Sequence, residues 1–253
     1  MRQLFIPKAW ISSEKKQVVL VDDPFHHLVH VLRKQKGDCV EVFDGQGETY
    51  RARLIEITSE KAVLEILETR RDSGVGRFAL TLGAAILKGK KMSWLVQKVT
   101  EVGVQTIVPL VTRRTVAKPT DHGPEKAKKW EKVAVEAAKQ CGAAHVPNIH
   151  HPVHWEDFLK ECGNFDAKLL AWEGKEAPSL KVWAGQTIPA LKNLGHPASV
   201  LLLVGPEGGF DPAEVALAKK HGFALFGLGG NILRSETAAI VASALLLYEL
   251  ENA

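Results

Sequence analysis

VLLLVGPEGGFDPAE, residues 200–214, decides the fold. Its first five residues are all apolar, as in a short strand covered on both faces. Gly205, Gly208 and Gly209 then break the run. Asp211, Pro212 and Glu214 supply an N-cap, a proline at the first helical position and a capping-box acid, so a helix starts there. Strand, glycine turn and capped helix together form one repeat of an α/β domain.

The same rhythm extends on both sides. FALTLGAAI (78–86), TIVPLV (106–111), KLLAW (168–172) and ALFGL (224–228) read as further strands. Between them, Leu95, Val96, Val99 and Val102 recur at helical spacing over 91–102, and Gly103 is the expected C-cap. Residues 125–141 read as an amphipathic helix with Trp130, Val133, Ala134, Ala137 and Cys141 inward. Residues 236–250 read as a largely apolar, buried closing helix. The expectation for 78–253 is an α/β domain with a mostly parallel sheet.

The first 70 residues differ. VVLV (18–21), DCVEVFD (38–44), YRARLIEI (50–57) and AVLEIL (62–67) are short, β-rich and separated by turn signals at Lys36-Gly37-Asp38 and Asp44-Gly45-Gln46-Gly47. A helical stretch near 24–34 interrupts them. Residues 1–70 are therefore expected to form a small β-barrel-like domain. Residues 71–77, polar and glycine-bearing, are the expected linker.

Composition narrows the classes. With 253 residues, 25% charged and 45% hydrophobic, the chain belongs with folded globular proteins. No apolar run reaches the roughly 18 residues of a membrane helix. The N-terminal MRQLFIPKAW carries no export-type apolar region, which predicts a cytoplasmic protein. Cys39, Cys141 and Cys162 are too widely spaced for a zinc site and odd in number for a disulfide framework.

The net charge of +4 identifies no partner, but its distribution is uneven. Residues 1–70 are neutral, whereas 88–132 hold 11 basic and 4 acidic side chains. Lys88, Lys90, Lys91, Arg113, Arg114, Lys118, Lys126, Lys128 and Lys129 fall in that stretch. Clustered Lys and Arg attract phosphate, although a solvated helix face explains 126–132 equally well. The KGKK run at 88–91 lies between an expected strand and an expected helix, where loops carry function.

Two glycine loops follow strands: Gly205-Pro206-Glu207-Gly208-Gly209, and the segment 227–237 that leads into the last helix. Ligands of open α/β sheets bind at the carboxyl ends of strands, and glycine lets backbone approach them closely. The loops match neither a P-loop nor a dinucleotide fingerprint. No G-x-S-x-G hydrolase element appears. His26 with His30, and His150, His151 and His154, lack the carboxylate or cysteine that would complete a metal set, so no metal is expected.

GPEGGF (205–210) followed by LGGNILRSETA (228–238) resembles the RsmE family of bacterial methyltransferases. KGKKMSWLVQKVTEVGVQTIVPLVTRRTV (88–116), EAAKQCG (136–142) and HVLRKQKGD (30–38) resemble further family segments, in the same order along nearly the whole chain. The resemblance implies an S-adenosylmethionine-dependent enzyme that methylates N3 of a specific uridine in 16S ribosomal RNA of the small subunit. It implies a C-terminal SPOUT domain with a trefoil-knotted, mostly parallel sheet, an N-terminal PUA-like RNA-binding β-barrel, and a homodimer. Carried over by position, Gly205, Glu207, Gly208, Leu228, Ile232, Leu233, Ser235, Glu236 and Thr237 would surround the cofactor. Leu170 and Trp172, at another strand end, would join them.

The family pattern places an arginine soon after Q-x-G, where this chain has Ala143. His145 or a nearby lysine is the available substitute. The departure keeps two alternatives open: a SPOUT methyltransferase acting on another RNA, and a weakly catalytic RNA-binding protein of ribosome assembly. For a methyltransferase, Arg234 is the candidate for electrostatic stabilisation of the substrate, because it lies in the second loop and cannot serve as a base. Glu207 or Glu236 is the candidate proton acceptor. His30, Arg33, Lys88, Lys90, Lys91 and Arg114 are the RNA-contact candidates.

Overall fold

The structure is a computed structural model, and it describes residues 3–12, 14–71, 78–116, 123–174 and 177–252. Most of the expected linker, and Lys118, lie outside the described residues. The chain divides into two compact units, Met1–Gly74 with Val135–Val146, and Val75–Ala134 with Pro147–Ala253.

The first unit is built on six strands: β1 (Leu4–Phe5), β2 (Ile11–Ser12), β3 (Gln17–Leu20), β4 (Cys39–Phe43), β5 (Glu48–Ile57) and β6 (Ala62–Arg71). They lie in the order β1-β4-β5-β6-β3-β2 and pair antiparallel except for β1 with β4. Alternation decides which face of β5 is covered. Tyr50, Ala52 and Leu54 are buried, while Arg51 and Arg53 between them are exposed. Val18, Leu20, Val40, Val42 and Leu64 complete the core with Phe25 and Leu28. Those last two lie on helix α1 (Asp22–His26) and the π-helical turn His27–Val31 that follows it. At the β4–β5 connection, Asp44 Oδ1 accepts the backbone N–H groups of Gln46 and Glu48. Gly45 there has a φ of +74°, and a Cβ would stand 2.9 Å from the Phe5 ring. Ala144 and Val146 hydrogen-bond to this same connection through Gly47 and Gly45.

The second unit holds β7 (Phe78–Ala85), α2 (Lys91–Val102), β8 (Thr106–Val111), α3 (Gly123–Cys141), β9 (Asn148–Ile149), β10 (Val153–His154) and α4 (Trp155–Glu161). The last residues of α3 belong to the first unit. There follow β11 (Ala167–Ala171), α5 (Leu180–Lys192), β12 (Ala198–Val204), α6 (Pro212–Lys220), β13 (Ala224–Phe226) and α7 (Ser235–Asn252). The sheet is wholly parallel, in the order β10-β8-β7-β12-β11-β13, with β9 also paired to β8.

Leu201, Leu202 and Leu203 of β12 are fully buried, as a central strand requires. The α6 start has the expected capping box, in which Asp211 and Glu214 each bond the other's backbone N–H. Gly103 ends α2 in the left-handed conformation, φ +105°. On α3, Trp130, Ala134 and Ala137 are buried as expected, but Val133 is only half-buried. Cys141, expected inward, is exposed: it is the last residue of the helix, with no further turn to cover it, and its thiol donates back to the Ala138 carbonyl. No described helix is long and apolar enough to cross a membrane.

Candidate active site

Strands β12, β11 and β13 are neighbours, and the register pairs Leu170 with both Leu203 and Leu225. Their carboxyl ends therefore finish side by side. The three connections that leave them enclose a cavity of about 690 Å³. Its walls are Trp172 and Glu173 after β11, the 205–210 turn after β12, and the 227–233 loop after β13, with Ser235 from α7. That is the place where parallel sheets bind ligands, and the volume suits a cofactor-sized molecule.

Glycine is needed in the first turn for steric reasons. A Cβ on Gly205 would lie 3.1 Å from the backbone nitrogen of Phe210. Gly209 has a φ of +68°, and a Cβ there would lie 2.6 Å from a Glu173 carboxylate oxygen. The turn is closed by a hydrogen bond from the Gly209 N–H to the Pro206 carbonyl. The Ser235 hydroxyl donates to the Gly205 carbonyl, which joins the start of α7 to the first turn.

Basic side chains hold the same turn from outside. Arg114 Nη1 donates to the Gly208 carbonyl at 2.9 Å, and Nη2 lies 3.4 Å from Asp211 Oδ2. Arg113 Nη1 lies 3.6 Å from Asp211 Oδ1. Glu214, almost fully buried, accepts the Arg113 backbone N–H with one oxygen and that of Asp211 with the other.

Lys91 reaches two acids. Its Nζ is 3.3 Å from Glu207 Oε1 and 3.6 Å from Glu236 Oε1. Partial burial pushes the Glu207 carboxyl up. Hydrogen bonds from its own backbone, the Lys91 ammonium and the Lys88 backbone outweigh that, and hold it below the usual carboxylate range. Glu236 is buried, and its Oε2 has no hydrogen-bond partner among the described residues.

Of the residues anticipated at a cofactor, Trp172, Gly205, Glu207, Gly208, Leu228, Ile232, Leu233 and Ser235 line the cavity. Leu170 is fully buried inside β11, two residues before Trp172. Glu236 sits beside Ser235 at Lys91, and Thr237 is half-buried on the next position of α7. Arg234 is exposed and is not among the lining residues. The glycines could be found in the sequence. Ala177 and Ser179 carry no motif, and they join the wall because the segment before α5 pairs with Gly227 after β13.

Lys88 and Lys90 are exposed, with Gly89 between them at φ +66°. In the first unit His30 is exposed, 4.9 Å from the His26 ring and edge-on to Phe25. Arg33 is exposed at φ +51°. His145 is bridged through its backbone to Gly45 and Gln46, and its Nε2 is buried without a partner among the described residues. No group of three or more His, Cys, Asp or Glu able to hold a metal occurs among the described residues.

Two sequence families match the chain. One, described as an RNA methyltransferase domain, matches residues 76–247, and the other, an RNA methyltransferase PUA domain, matches residues 20–67. Ribosomal RNA small subunit methyltransferase E of Synechocystis is 34% identical over 93% of this chain and 74% of its own length. Its counterpart in Bacillus subtilis is 28% identical, covering 92% and 90%. Two solved structures are similar over 98% of this chain and 97% of theirs, each at 27% identity and a TM-score of 0.82. They are a methyltransferase from Legionella pneumophila and ribosomal RNA small subunit methyltransferase E from Neisseria gonorrhoeae, both with bound S-adenosylmethionine.

Proposed function

Because the chain belongs to the RNA methyltransferase family that includes ribosomal RNA small subunit methyltransferase E, we propose that it methylates N3 of a uridine in 16S ribosomal RNA. The observation that carries this reading is the glycine-walled cavity at the ends of β11, β12 and β13. Gly205, Gly208, Gly209, Gly227, Gly229 and Gly230 all stand in its wall, so backbone rather than side chain lines much of it and can approach a ligand closely. The residues present thus fit S-adenosylmethionine, the molecule bound in both solved relatives.

Bound there, S-adenosylmethionine supplies a methyl group already activated on a sulfonium. The chain's own work is alignment and proton management. The 205–210 turn and the 227–233 loop orient the ligand from two sides. Ser235 fixes one loop to the other through the Gly205 carbonyl. Uracil N3–H is weakly acidic: a pKa about two units above neutral makes the anion cost about 2.7 kcal/mol at pH 7. Arg234, exposed beside the second loop, offsets part of that by facing the negative charge that develops on the uracil oxygens. Glu207, in the cavity wall, and Glu236, next to the wall residue Ser235, are the candidate proton acceptors.

His30 and Arg33 from the first unit, with Lys88 and Lys90 from the second, would meet RNA phosphate and ribose. Lys91 and Arg114 are already engaged with carboxylates and the Gly208 carbonyl, so they have less to give a phosphate. The target base must be unstacked to enter. The reading also carries a cytoplasmic homodimer. Exposed Trp94 on α2 and Leu245 on α7, two helices packed on one another, support it.

The test is incubation with methyl-labelled S-adenosylmethionine and small-subunit particles or 16S RNA, followed by mapping of the label. Label on uridine N3 is expected. Label on another RNA or another atom would correct the substrate, and tight RNA binding with no transfer would overturn the enzymatic reading.

A further inference from the structure

Lys91 opens α2 inside the most basic stretch of the chain, yet its ammonium is turned to two acids. Glu207 comes from the turn after β12 and Glu236 from the first turn of α7. One cation thus joins the turn after β12 to the first turn of α7. Glu236 is 7% exposed, and the oxygen that does not face Lys91 has no partner among the described residues. A buried carboxylate oxygen without a donor is costly, and such atoms mark places where a ligand completes the bonding.

We propose that Lys91 is a positioning residue for methyl transfer, binding Glu207 and Glu236 so that the unpartnered oxygen of Glu236 receives the proton of the target base. The inference rests on the methyltransferase reading above. The N3–H bond breaks and its proton passes to Glu236 Oε2. The N3 electron pair takes the methyl group, and the electron pair of the broken C–S bond returns to sulfur. Positive sulfonium and negative carboxylate are both consumed, so charge balances.

Electrostatics explains why a lysine is needed. Two carboxylates drawn to a common point repel, and without a cation one of them takes up a proton at higher pH. Other charged residues near this pair are Lys88, whose backbone bonds Glu207, Arg114 and Asp211 at the Gly208 end of the turn, Glu173 against Gly209, and Arg234, two positions before Glu236 in the chain. Arg114 is committed to Gly208 and Asp211, so Lys91 is the ammonium that meets both acids.

The experiment compares wild type, K91R, K91M and E236Q, each first checked by thermal melting and by its affinity for S-adenosylmethionine. The pH dependence of methyl transfer and the titration of the 13C-labelled Glu207 carboxyl are then followed. In K91M the acid limb of the rate profile and the Glu207 titration should both move up by about one pH unit or more. Affinity for the cofactor should change less than threefold, and K91R should restore both curves. E236Q should lose about 100-fold in transfer while still binding the cofactor.

An unmoved Glu207 titration in K91M, or an unmoved rate limb, would overturn the proposal. So would near-normal transfer by E236Q. Should wild type methylate no RNA, the methyltransferase reading itself fails, while the Glu207 titration still decides whether Lys91 controls the acid pair.

Discussion

Arg114 and Gly208 meet through a 2.9 Å hydrogen bond from guanidinium Nη1 to backbone carbonyl, 94 positions apart in the chain. The bond ties the segment after β8 to the turn that walls the cavity. Its partner, Asp211, is also the N-cap of α6, so one guanidinium steadies the turn and the helix it leads into. Arg114→Ala should weaken S-adenosylmethionine binding about 5- to 10-fold, the size of one ordinary hydrogen bond of about 1–1.4 kcal/mol at a half-exposed site. Calorimetric titration checks this. Arg114→Lys should recover only part, since an ammonium cannot span both acceptors in a fixed plane.

Gly209→Ala should cost about 1–2 kcal/mol in folding stability, because alanine resists a φ of +68°. The new Cβ must also displace the Glu173 carboxylate from the wall. Cofactor affinity should therefore fall together with the melting temperature. A variant with normal melting and normal affinity would show that the turn relaxes freely.

Arg234→Ala should separate binding from chemistry. An exposed residue outside the cavity lining contributes little to holding the cofactor. In its proposed role opposite the uracil oxygens, it should contribute about 100-fold to the rate of transfer. Single-turnover kinetics with cofactor saturating reads this directly. Equal losses in rate and affinity would assign Arg234 to the ligand site instead.

Lys88→Ala and Lys90→Ala should weaken RNA binding for all sequences alike. Each removal should lower the slope of log affinity against log salt by about 0.7–0.9. Arg51→Ala, on the exposed face of β5, supplies a comparison.

Asp166 accepts both the backbone N–H and the hydroxyl of Ser199, each at 2.7 Å. These bonds, with His196 nearby, hold the carboxyl of this exposed residue below the ordinary range. A carboxyl depressed in the folded state stabilises at pH values above its unfolded pKa, and the contribution disappears as pH falls through the folded one. Asp166→Asn should cost no more than about 1 kcal/mol at pH 7, because solvent screens the exposed carboxylate. The gap from wild type should close in strongly acidic buffer, as melting curves across pH would show.

Much of the architecture could be read locally. Residues 200–214 contain their own strand, turn and helix start, because apolar runs, glycine and a capping box act through neighbours a few positions apart. The glycines of both loops were legible for the same reason. Strands β1 and β2 were not, since two-residue strands have no period and exist only through their partners β4 and β3. Helix α5 carries Pro189 in its interior, which hides its pattern. The wall residues Ala177 and Ser179 bear no chemical mark in the sequence.

The charged residues show the division most clearly. The sequence by itself determined that an α/β sheet with glycine loops would present a backbone-lined site, and that positive charge gathers near residues 88–132. Both follow from short-range steric and hydrophobic preferences. Only the tertiary structure decided that Lys91 faces Glu207 and Glu236, and that Arg114 faces Gly208. Those contacts join positions from 94 to 145 residues apart, and a charge reveals its partner only when folding brings the two within a few ångströms.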